Sequence, residues 1–573
     1  MKMSPARQTA ARRAGLLIML LAAACSSAPG GAPGANAPGG ATSGGPGAPG
    51  SGASSALARP LGEACTAPQP FTEGDCGKGM RCLAQPGGYC ASLCGLEGPC
   101  SGVCAESAGA GDICLKGCSA DKDCREGYLC DPTWKACTVP GFLAPKAPVC
   151  QGAPLARKRF GRPVQLSTAK SPGRYTPEPS AAVARDGSLV AAYLTYGKRD
   201  DPNPLGVSSL SIFGAVNGDR VLTSERPRHF DPWMASDRTG KLHLVWLGHD
   251  GGTPDKRVQI GYANSDDGKS WSKPIAAHHA AADCPGEAPG CMNKPMIAVG
   301  PDPQDPKKDA IYVAYFSEVA GALKMTRSSD GGQTFAPSVP VGAGAYGDIE
   351  VSADGVVRAV FLSVAESPGG IGRPDRFGDR RHVVLYAAST DGGKTFSKPQ
   401  QVSVPGEPVP FYFSNPQVAY DVKRKLLYVV YPTGTPDGRW DILLATSKDG
   451  GAKWSHVKVN DDAPCANHRV PNVAVSPGSG KVHVLWTENR SGKGQVIYAQ
   501  CRSGGASCAP NEAVHDAPFA GYSLSRFTPP WIGDYGSLVV DERRRKLHAV
   551  YTATVDEGGL PVARIFAASA PLD

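Results

Sequence analysis

Polar and charged side chains recur along the chain immediately before one kind of apolar strand. The strands that begin at Pro295, Pro416 and Pro471 share one register, and the segments that lead into such strands carry groups able to bind a ligand. Carboxylates, a phenol, an imidazole and cations that converge in one place could hold a sugar or an acidic ligand. Each of these side chains could instead be solvated or cap the end of a strand. The candidates are Glu178, Asp231, Lys294, Tyr346 with Asp348, Asn415, His468 with Arg469, and Asp534 with Tyr535.

The elements that must position these residues form a long repeat. The 573 residues exceed the size of one hydrophobic core, and 71 glycines and 52 prolines favour short strands joined by turns. Seven β-rich segments align as second strands of successive units, namely SLVAAY from Ser188, LHLVWL from Leu242, IYVAYF from Ile311, VVRAVF from Val356, LLYVVY from Leu426, VHVLWT from Val482 and LHAVYT from Leu547. Seven four-stranded units predict an all-β, seven-bladed β-propeller over residues 160–573. The last unit is one strand short, so we expect the segment Pro163–Ser167 to complete it and close the ring.

A glycine-rich turn recurs between the third and fourth strands. It reads NSDDGKSW from Asn264, SSDGGQTF from Ser328, STDGGKTF from Ser389 and SKDGGAKW from Ser447. An aspartate in such a turn can accept backbone hydrogen bonds and a glycine can adopt positive φ, so the motif predicts structure rather than chemistry. Cys501 and Cys508 occupy the first and last positions of a further copy, where a disulfide could hold the same hairpin.

These turns resemble the Asp-box, or BNR repeat, of the sialidase superfamily. The resemblance covers residues 160–573, and Trp531–Gly536 resembles a motif of exported bacterial Asp-box proteins. It implies a structural role for the box aspartates, on the face opposite the site. These are Asp266, Asp330, Asp391 and Asp449.

The same resemblance implies an exo-α-sialidase-like glycoside hydrolase with Tyr535 as nucleophile, Asp231 or Asp348 as acid and base, and Arg469 as a carboxylate clamp. The chain departs from that family in its seven units rather than six and in lacking the expected three arginines. We therefore favour a propeller that recognises a glycan or another cell-surface ligand without catalysis. The glycosidase is the alternative.

The N-terminus carries a targeting signal. Basic residues from Lys2 to Arg13 precede the apolar run Leu16–Leu21, which is too short to span a bilayer and ends in three alanines and Cys25. The segment resembles a bacterial lipoprotein signal, and Ser26 implies the outer membrane. We expect a signal peptide over 1–24, lipidation of Cys25, and a flexible Gly/Pro/Ala/Ser-rich tether over 25–60. Ordinary secretion with a free cysteine is the alternative.

Residues 61–150 form a cysteine-rich module. Thirteen cysteines lie between Cys65 and Cys150, and in an exported chain this density predicts disulfides. Zinc binding is the alternative. We expect the twelve cysteines from Cys65 to Cys137 to pair among themselves, with unknown connectivity. The remaining pairs are expected to be Cys284 with Cys291, Cys501 with Cys508, and Cys150 with Cys465.

Charge and the remaining motifs imply few other partners. The net charge of +8 is small for this length, and the basic run Arg543–Lys546 fits a solvated hairpin better than a nucleic-acid site. We expect a monomer with no cofactor. His278 and His279 lack an evident third metal ligand, and the loop with Asp302, Asp305 and Asp309 is only a weak candidate for calcium.

Overall fold

The computed structural model of the protein describes the cysteine-rich module in part and most of the repeat region. The described residues are 59–66, 75–76, 80–83, 85–94, 100–107, 111–139, 143, 150–171, 173–197, 202–250, 257–287, 291–363, 382–407, 409, 415–434, 439–462, 466–519 and 532–572. The predicted signal peptide, Cys25, the tether as far as residue 58, and Cys465 lie outside them. Helices of the described residues are limited to Ala280–Asp283 and the 3₁₀ segments Asp121–Asp123 and Pro285–Glu287. None of these could span a membrane.

The described part of the module contains two small sheets, and six disulfides join its described cysteines between Cys65 and Cys137. Its strands are Arg81–Leu83, Tyr89–Leu93, Val103–Ser107 and Gly111–Leu115 in one sheet, and Leu129–Cys130 with Cys137–Thr138 in the other. The disulfides join Cys65 to Cys82, Cys76 to Cys90, Cys94 to Cys104, Cys100 to Cys114, Cys118 to Cys130 and Cys124 to Cys137. The twelve cysteines pair among themselves as expected, in three units that each link first to third and second to fourth. Sulfur atoms committed to disulfides leave no thiolate for zinc.

The rest of the described chain consists of seven four-stranded antiparallel sheets, numbered here 1 to 7 in chain order. From inner to outer, sheet 1 contains Ser180–Val183, Leu189–Leu194, Leu205–Leu210 and Val216–Leu222, and sheet 2 contains Arg228–Ser236, Leu242–His249, Val258–Ser265 and Ile275–Ala276. Sheet 3 contains Asn293–Asp302, Asp305–Ser317, Ala322–Ser328 and Val339–Ala343, and sheet 4 contains Ala345–Val351, Val357–Leu362, Val384–Ser389 and Gln400–Gln401. Sheet 5 contains Gln417–Asp421, Leu426–Gly434, Trp440–Ser447 and Ser455–Lys458, and sheet 6 contains His468–Val475, Val482–Glu488, Gln495–Cys501 and Glu512–Ala513. Sheet 7 contains Ser537–Asp541, Lys546–Asp556, Pro561–Pro571 and Val164–Gln165.

Apolar side chains fill the space between each sheet and the next. Trp246 of sheet 2, for example, is fully buried with residues of sheet 1, and Trp486 of sheet 6 with residues of sheet 5. One such core joins sheet 7 to sheet 1, where Ile565 packs with Tyr193 and Leu189. This succession of face-to-face sheets is the arrangement of the propeller type that the repeat predicts.

Hydrogen bonds between inner strands fix the register of neighbouring sheets. The backbone N–H of Met234 in sheet 2 donates to Ser180 Oγ of sheet 1 at 2.8 Å. At the equivalent place between sheets 7 and 1, Ala181 N–H donates to Ser537 Oγ at 3.0 Å. The first residue of an inner strand therefore holds the next inner strand, including across the junction between the two ends of the repeat.

The strand Val164–Gln165 completes sheet 7. It pairs antiparallel with the strand Pro561–Pro571, with Gln165 opposite Phe566, and Leu166 N–H donates to Ile565 O at 2.8 Å. A segment that precedes sheet 1 in sequence therefore supplies the outermost strand of the last sheet, as the incomplete seventh unit predicts.

The meander within each sheet gives the structure two opposite faces. The inner strands begin on one side, called here the mouth face, together with the turns between second and third strands. The turns between first and second strands and between third and fourth strands lie on the other side, the turn face. Contacts run from turn to turn on this face: Arg185 Nε donates to Thr239 O at 3.2 Å, and Arg424 Nη2 donates to Gly478 O at 3.0 Å.

Three of the glycine-rich turns share one hydrogen-bonding pattern. In the turn of sheet 4, Asp391 Oδ1 accepts the backbone N–H of Lys394 and of Thr395, each at 3.0 Å, and Ser389 Oγ donates to it at 2.7 Å. Burial opposes ionisation of Asp391, but the hydroxyls of Ser389 and Thr395 and the backbone donors outweigh it and lower its pKa. Asp330 and Asp449 make the equivalent bonds. These aspartates organise a turn and are not placed for chemistry.

The turn of sheet 2 differs from the expectation, because Asp267 and not Asp266 makes these bonds. Asp267 Oδ1 accepts the N–H groups of Lys269 at 2.7 Å and Ser270 at 2.9 Å, and Ser265 Oγ donates to it. Asp266 is exposed. Ser265 and Ser328 each end the third strand of their sheet, and in both turns the aspartate two residues later accepts the hydrogen bonds. The loop from Ser265 to Trp271 is one residue shorter than the loop from Ser328 to Phe335, so the bonding aspartate falls one position later in the eight-residue motif, at Asp267.

The turn of sheet 6 is held by a disulfide between Cys501 and Cys508, as the sequence predicts. Gly504 and Gly505 have φ of 84° and 68°, and Gly450 and Gly451 of the Asp449 turn are left-handed in the same way. Backbone shape is therefore retained while a covalent bond replaces the serine and aspartate hydrogen bonds. Cys284 and Cys291 also form their predicted disulfide. Cys150 is disulfide-bonded, and its expected partner lies outside the described residues.

We expect Asp267→Ala to lower the free energy of unfolding by about 1–2 kcal/mol, because it leaves three charge-assisted hydrogen bonds unmade. Asp266→Ala, one residue away on the same turn, should change it by less than about 0.5 kcal/mol. Chemical denaturation of the two variants measures both. Equal destabilisation by the two substitutions, or a larger effect of Asp266→Ala, would show that the turn is organised differently.

Candidate functional site

The predicted site residues enter the inner strands through a strained bend. Glu178, Asp231, Lys294, Tyr346 and Val470 have φ between 44° and 58°, and each precedes a proline or a glycine. Left-handed backbone is unfavourable for such residues, most of all before proline and for a β-branched valine. The strands carry register shifts at these positions in sheets 2, 3, 4 and 6. Strained backbone recurs at the same place in these sheets, which makes this face a candidate for a functional site.

Three of the predicted residues converge on the ammonium group of a fourth, Lys294. Lys294 Nζ lies 2.6 Å from Asp534 Oδ2, 2.7 Å from Asp231 Oδ1 and 3.4 Å from Glu178 Oε1. These residues come from the entry segments of sheets 3, 7, 2 and 1, so the cluster joins the last sheet to the first three. The backbone N–H of Asp534 also donates to Glu178 Oε1 at 3.2 Å. We call this set the lysine cluster.

Burial and mutual repulsion set the electrostatics of the lysine cluster. Glu178 is fully buried, and desolvation raises its pKa well above the ordinary value; Lys294 opposes this rise, whereas Asp534 and Asp231 add to it. Burial also works against the charge of Lys294, but its three carboxylate neighbours outweigh it and raise its pKa. The lysine therefore remains a cation. Three acids around one cation leave the cluster with an excess of acceptors.

Tyr535 lies beside the lysine cluster but is not arranged as a nucleophile. Its hydroxyl donates to Pro232 O at 3.0 Å, and its ring packs against that of Trp233, with 4.9 Å between centroids. Burial, with the nearby Glu178 and Asp231 carboxylates, raises its pKa well above the usual value. An activated phenol needs a base that accepts its proton. A backbone carbonyl cannot serve as one, so the geometry does not support the role implied for Tyr535.

Asp348 and Tyr346 serve the junction between sheets rather than the cluster. Asp348 accepts the N–H of Val418 in sheet 5 at 3.0 Å and the N–H of Ile349 at 2.9 Å. Burial raises its pKa to about 7 against these two donors. Tyr346 packs edge-on against Phe316, with 5.7 Å between centroids. Asp348 is therefore tied to the backbone and is not aimed at the same point as Asp231.

His468 belongs to a second buried ionic group, between sheets 5 and 6. Its Nδ1 lies 2.7 Å from Trp440 O, and its Nε2 lies 3.0 Å from Asp462 Oδ1 and 3.3 Å from Glu488 Oε2. Arg490 also pairs with Glu488 through two nitrogens. Burial disfavours the charged imidazole, but bonding to Asp462 and Glu488 prevails and raises the His468 pKa to about 9.

Sequence reasoning missed Asp462, Glu488 and Arg490, because they lie on other segments than the inner-strand entries. Ligand atoms of Asp462, His468 and Glu488 lie within 4.8 Å of one another and could in principle hold a metal. The guanidinium of Arg490 already binds the Glu488 carboxylate, however. The His468 imidazole is protonated, whereas a histidine that binds a metal must be neutral. The set fits an internal salt-bridge group.

The remaining predicted residues lie apart from these two groups. Arg469 stacks over the Trp440 ring at 4.3 Å and Asn415 is buried. The weak calcium candidates are occupied by basic side chains: Asp302 pairs with Arg327, Asp305 with Lys308 and Asp309 with Arg238. Carboxylates that face three different cations do not form a calcium site.

Comparisons with known proteins give no assignment. No protein-family model matches the chain, and no curated protein matches it. Among solved structures, a protein of unknown function from Dyadobacter fermentans is 13% identical, with TM-score 0.43, over 72% of this chain and 99% of that one. An α-L-arabinanase from Penicillium chrysogenum is 11% identical, with TM-score 0.40, over 72% and 98%. The Hadza microbial sialidase Hz136 is 15% identical, with TM-score 0.37, over 65% and 73%. Similarity at this level decides neither fold nor function.

We expect Lys294→Met to lower the free energy of unfolding by about 3–5 kcal/mol, since it leaves three carboxylates facing one another without their cation. The loss should shrink as the pH falls and these acids become protonated. Lys308→Met is the matched control, because the exposed Lys308 on the same sheet pairs only at the surface with Asp305 and should contribute less than about 1 kcal/mol. A Lys294→Met protein as stable as its parent at neutral pH would sink the ionic account of the cluster.

The His468 group predicts a pH-dependent loss of stability. His468 has a folded pKa of about 9, against an ordinary value of 6.5. Its protonation therefore adds fully to the free energy of unfolding below pH 6.5, and this contribution is lost as the pH rises through 9. The loss should reach about 3 kcal/mol. In His468→Gln, denaturation curves between pH 6.5 and 9 should lack this slope. His548→Gln should keep it, because burial lowers the His548 pKa to about 4. A slope unchanged in His468→Gln contradicts the assignment.

Proposed function

We propose that the protein is a cell-envelope lipoprotein, anchored at Cys25, whose seven sheets are the blades of one closed propeller that binds a glycan at its mouth face without cleaving it. The fold part of the proposal is supported by the core and the Ala181–Ser537 hydrogen bond between sheets 7 and 1. The anchor is supported by the N-terminal sequence.

One observation carries the binding function: a buried lysine gathers carboxylates from different blades at the mouth face. The side chains of Lys294 and Asp534 are each 15% exposed, so the cluster reaches the surface through this ion pair. Carboxylates fixed in this way accept hydrogen bonds from sugar hydroxyls without reorganising. The partly exposed Trp233 ring packs against the buried ring of Tyr535, which neighbours Glu178 and Asp231. A few converging polar groups next to aromatic rings are the usual composition of a ligand site.

The same geometry argues against glycoside hydrolysis. A hydrolase needs two carboxyl groups with the scissile bond between them. Between Asp231 and Asp534 lies Lys294 Nζ, within 2.7 Å of both. Tyr535 donates to a backbone carbonyl, and Asp348 is tied to Val418. The three groups that the sialidase resemblance implies as catalytic, Asp231, Asp348 and Tyr535, are therefore separated from one another or bound to other groups of the protein.

A glycan array probed with the purified full chain tests the proposal. We expect binding that Asp534→Asn weakens by about tenfold or more, because charge-assisted hydrogen bonds contribute about 1.5–3 kcal/mol. Asp556→Asn is the matched control, since Asp556 is an exposed aspartate on the mouth side of sheet 7, outside the cluster. The same preparations are incubated with fluorogenic sialosides and arabinosides.

Binding without turnover supports the proposal. Turnover that Tyr535→Phe abolishes would overturn it in favour of the glycosidase. Binding that Asp534→Asn leaves intact would move the site away from the lysine cluster.

A further inference from the structure

The turn of sheet 1 between its third and fourth strands is apolar, unlike the aspartate turns of its neighbours. It reads Ser211-Ile212-Phe213-Gly214-Ala215, and Phe213 is 92% exposed while Ile212 is 45% exposed. The outer strand that follows adds Val216 and Val221, which are 37% and 47% exposed. Four of the eight large apolar residues that are exposed in the described chain thus belong to one hairpin. Exposed apolar clusters of this kind mark sites of interaction.

The hairpin is well ordered, so its exposure is a feature of the fold. Ala215 N–H donates to Ser211 Oγ at 3.0 Å, and Gly214, with φ of 84°, donates its N–H to Ser211 O at 3.0 Å. This closes a tight turn that carries Ile212 and Phe213 at its tip. A tip that is held rigid loses little conformational entropy when it inserts into an apolar medium.

The meander places this tip on the turn face, which also carries two basic turns. The Arg544 turn of sheet 7 packs beside Gly187 in the adjacent turn of sheet 1. Asp541 and Asp421 are each paired with an arginine of their own turn, Arg544 and Arg424. Exposed cations of the same two turns face solvent, namely Lys423, Lys425, Arg543, Arg545 and Lys546. The turns over 421–425 and 541–546 therefore carry more positive than negative charge.

We propose that the turn face docks onto an anionic lipid surface, with Phe213 and Ile212 inserted below the headgroups and the basic turns of sheets 5 and 7 at the level of the headgroups. The inference rests on the lipid anchor of the proposed function. A chain fixed at Cys25 by a tether that ends at about residue 60 remains within tens of ångströms of its membrane. At that effective concentration, two inserted apolar side chains and several cations are enough for stable contact. The mouth face then points away from the membrane, toward the ligand.

Vesicle sedimentation tests the docking without the anchor. The full chain with Cys25→Ser is mixed with vesicles of phosphatidylcholine alone or of phosphatidylcholine with phosphatidylglycerol. We expect sedimentation with the anionic vesicles, weakened by salt. Phe213→Ser should reduce the bound fraction about tenfold, in line with the transfer of one phenylalanine out of water.

The chain offers a matched control on its opposite face. Val319 and Leu560 are 73% and 50% exposed and lie in turns between second and third strands, on the mouth side. Val319→Ser and Leu560→Ser remove similar exposed apolar area, and should leave sedimentation unchanged. Lys423→Glu with Lys546→Glu should weaken binding to the anionic vesicles only.

Failure to sediment with either kind of vesicle, or equal sedimentation of Phe213→Ser and its parent, would overturn the docking. So would a parent that is dimeric in solution and becomes monomeric in Phe213→Ser, since a second copy would then cover the hairpin. Glycan binding by the same preparations is scored separately, and labelling of the unmutated chain with a fatty acid tests the anchor. Loss of docking, of ligand binding and of anchoring are thereby distinguished.

Discussion

The structure depends on the apolar packing between neighbouring sheets. A four-stranded sheet of this kind has two apolar faces and cannot cover either by itself. Each face is covered by the next sheet, and the core around Ile565 and Tyr193 gives the first and last sheets the same protection. Because every sheet has neighbours on both sides, the entry segments of the inner strands are brought to one end and held there. The lysine cluster exists only because segments from sheets 1, 2, 3 and 7 meet in this way.

The repeat itself could be predicted from the sequence, since alternating apolar residues and glycine turns recur at similar spacing. The pairing of Val164–Gln165 with the last sheet followed from counting strands, and the Cys501–Cys508 link followed from the register of the turn motif. The motif predicts Asp266 rather than Asp267, because the one-residue deletion in this loop cannot be recognised unless the end of the strand is known. Motif spacing therefore predicts the turn better than the atom that stabilises it.

The site could be predicted only in part. Residue types on the inner-strand entries indicated that Glu178, Asp231, Lys294 and Asp534 share a face, but which of them touch depends on side-chain length and on the order of sheets around the ring. In sheet 4 the position equivalent to Lys294 is Tyr346, and Asp348 lies two residues further along the inner strand, where its carboxylate accepts the N–H of Val418 in the neighbouring sheet. Asp462 and Glu488 carried no local signal at all. Their role arises from the long-range fold that brings them to His468.

The position of the strand Val164–Gln165 has a consequence for how the chain folds. Ser167, just beyond this strand, accepts a hydrogen bond from Ile565, 398 residues later in the sequence. Because synthesis begins at the N-terminus, this segment is made long before its partner strand Pro561–Pro571, so Leu166 and the facing side of sheet 1 stay exposed to water until that strand is made. Contacts between residues so far apart in sequence form slowly, and the partly folded intermediates are prone to aggregation. Completion of sheet 7 therefore waits for the strand Pro561–Pro571.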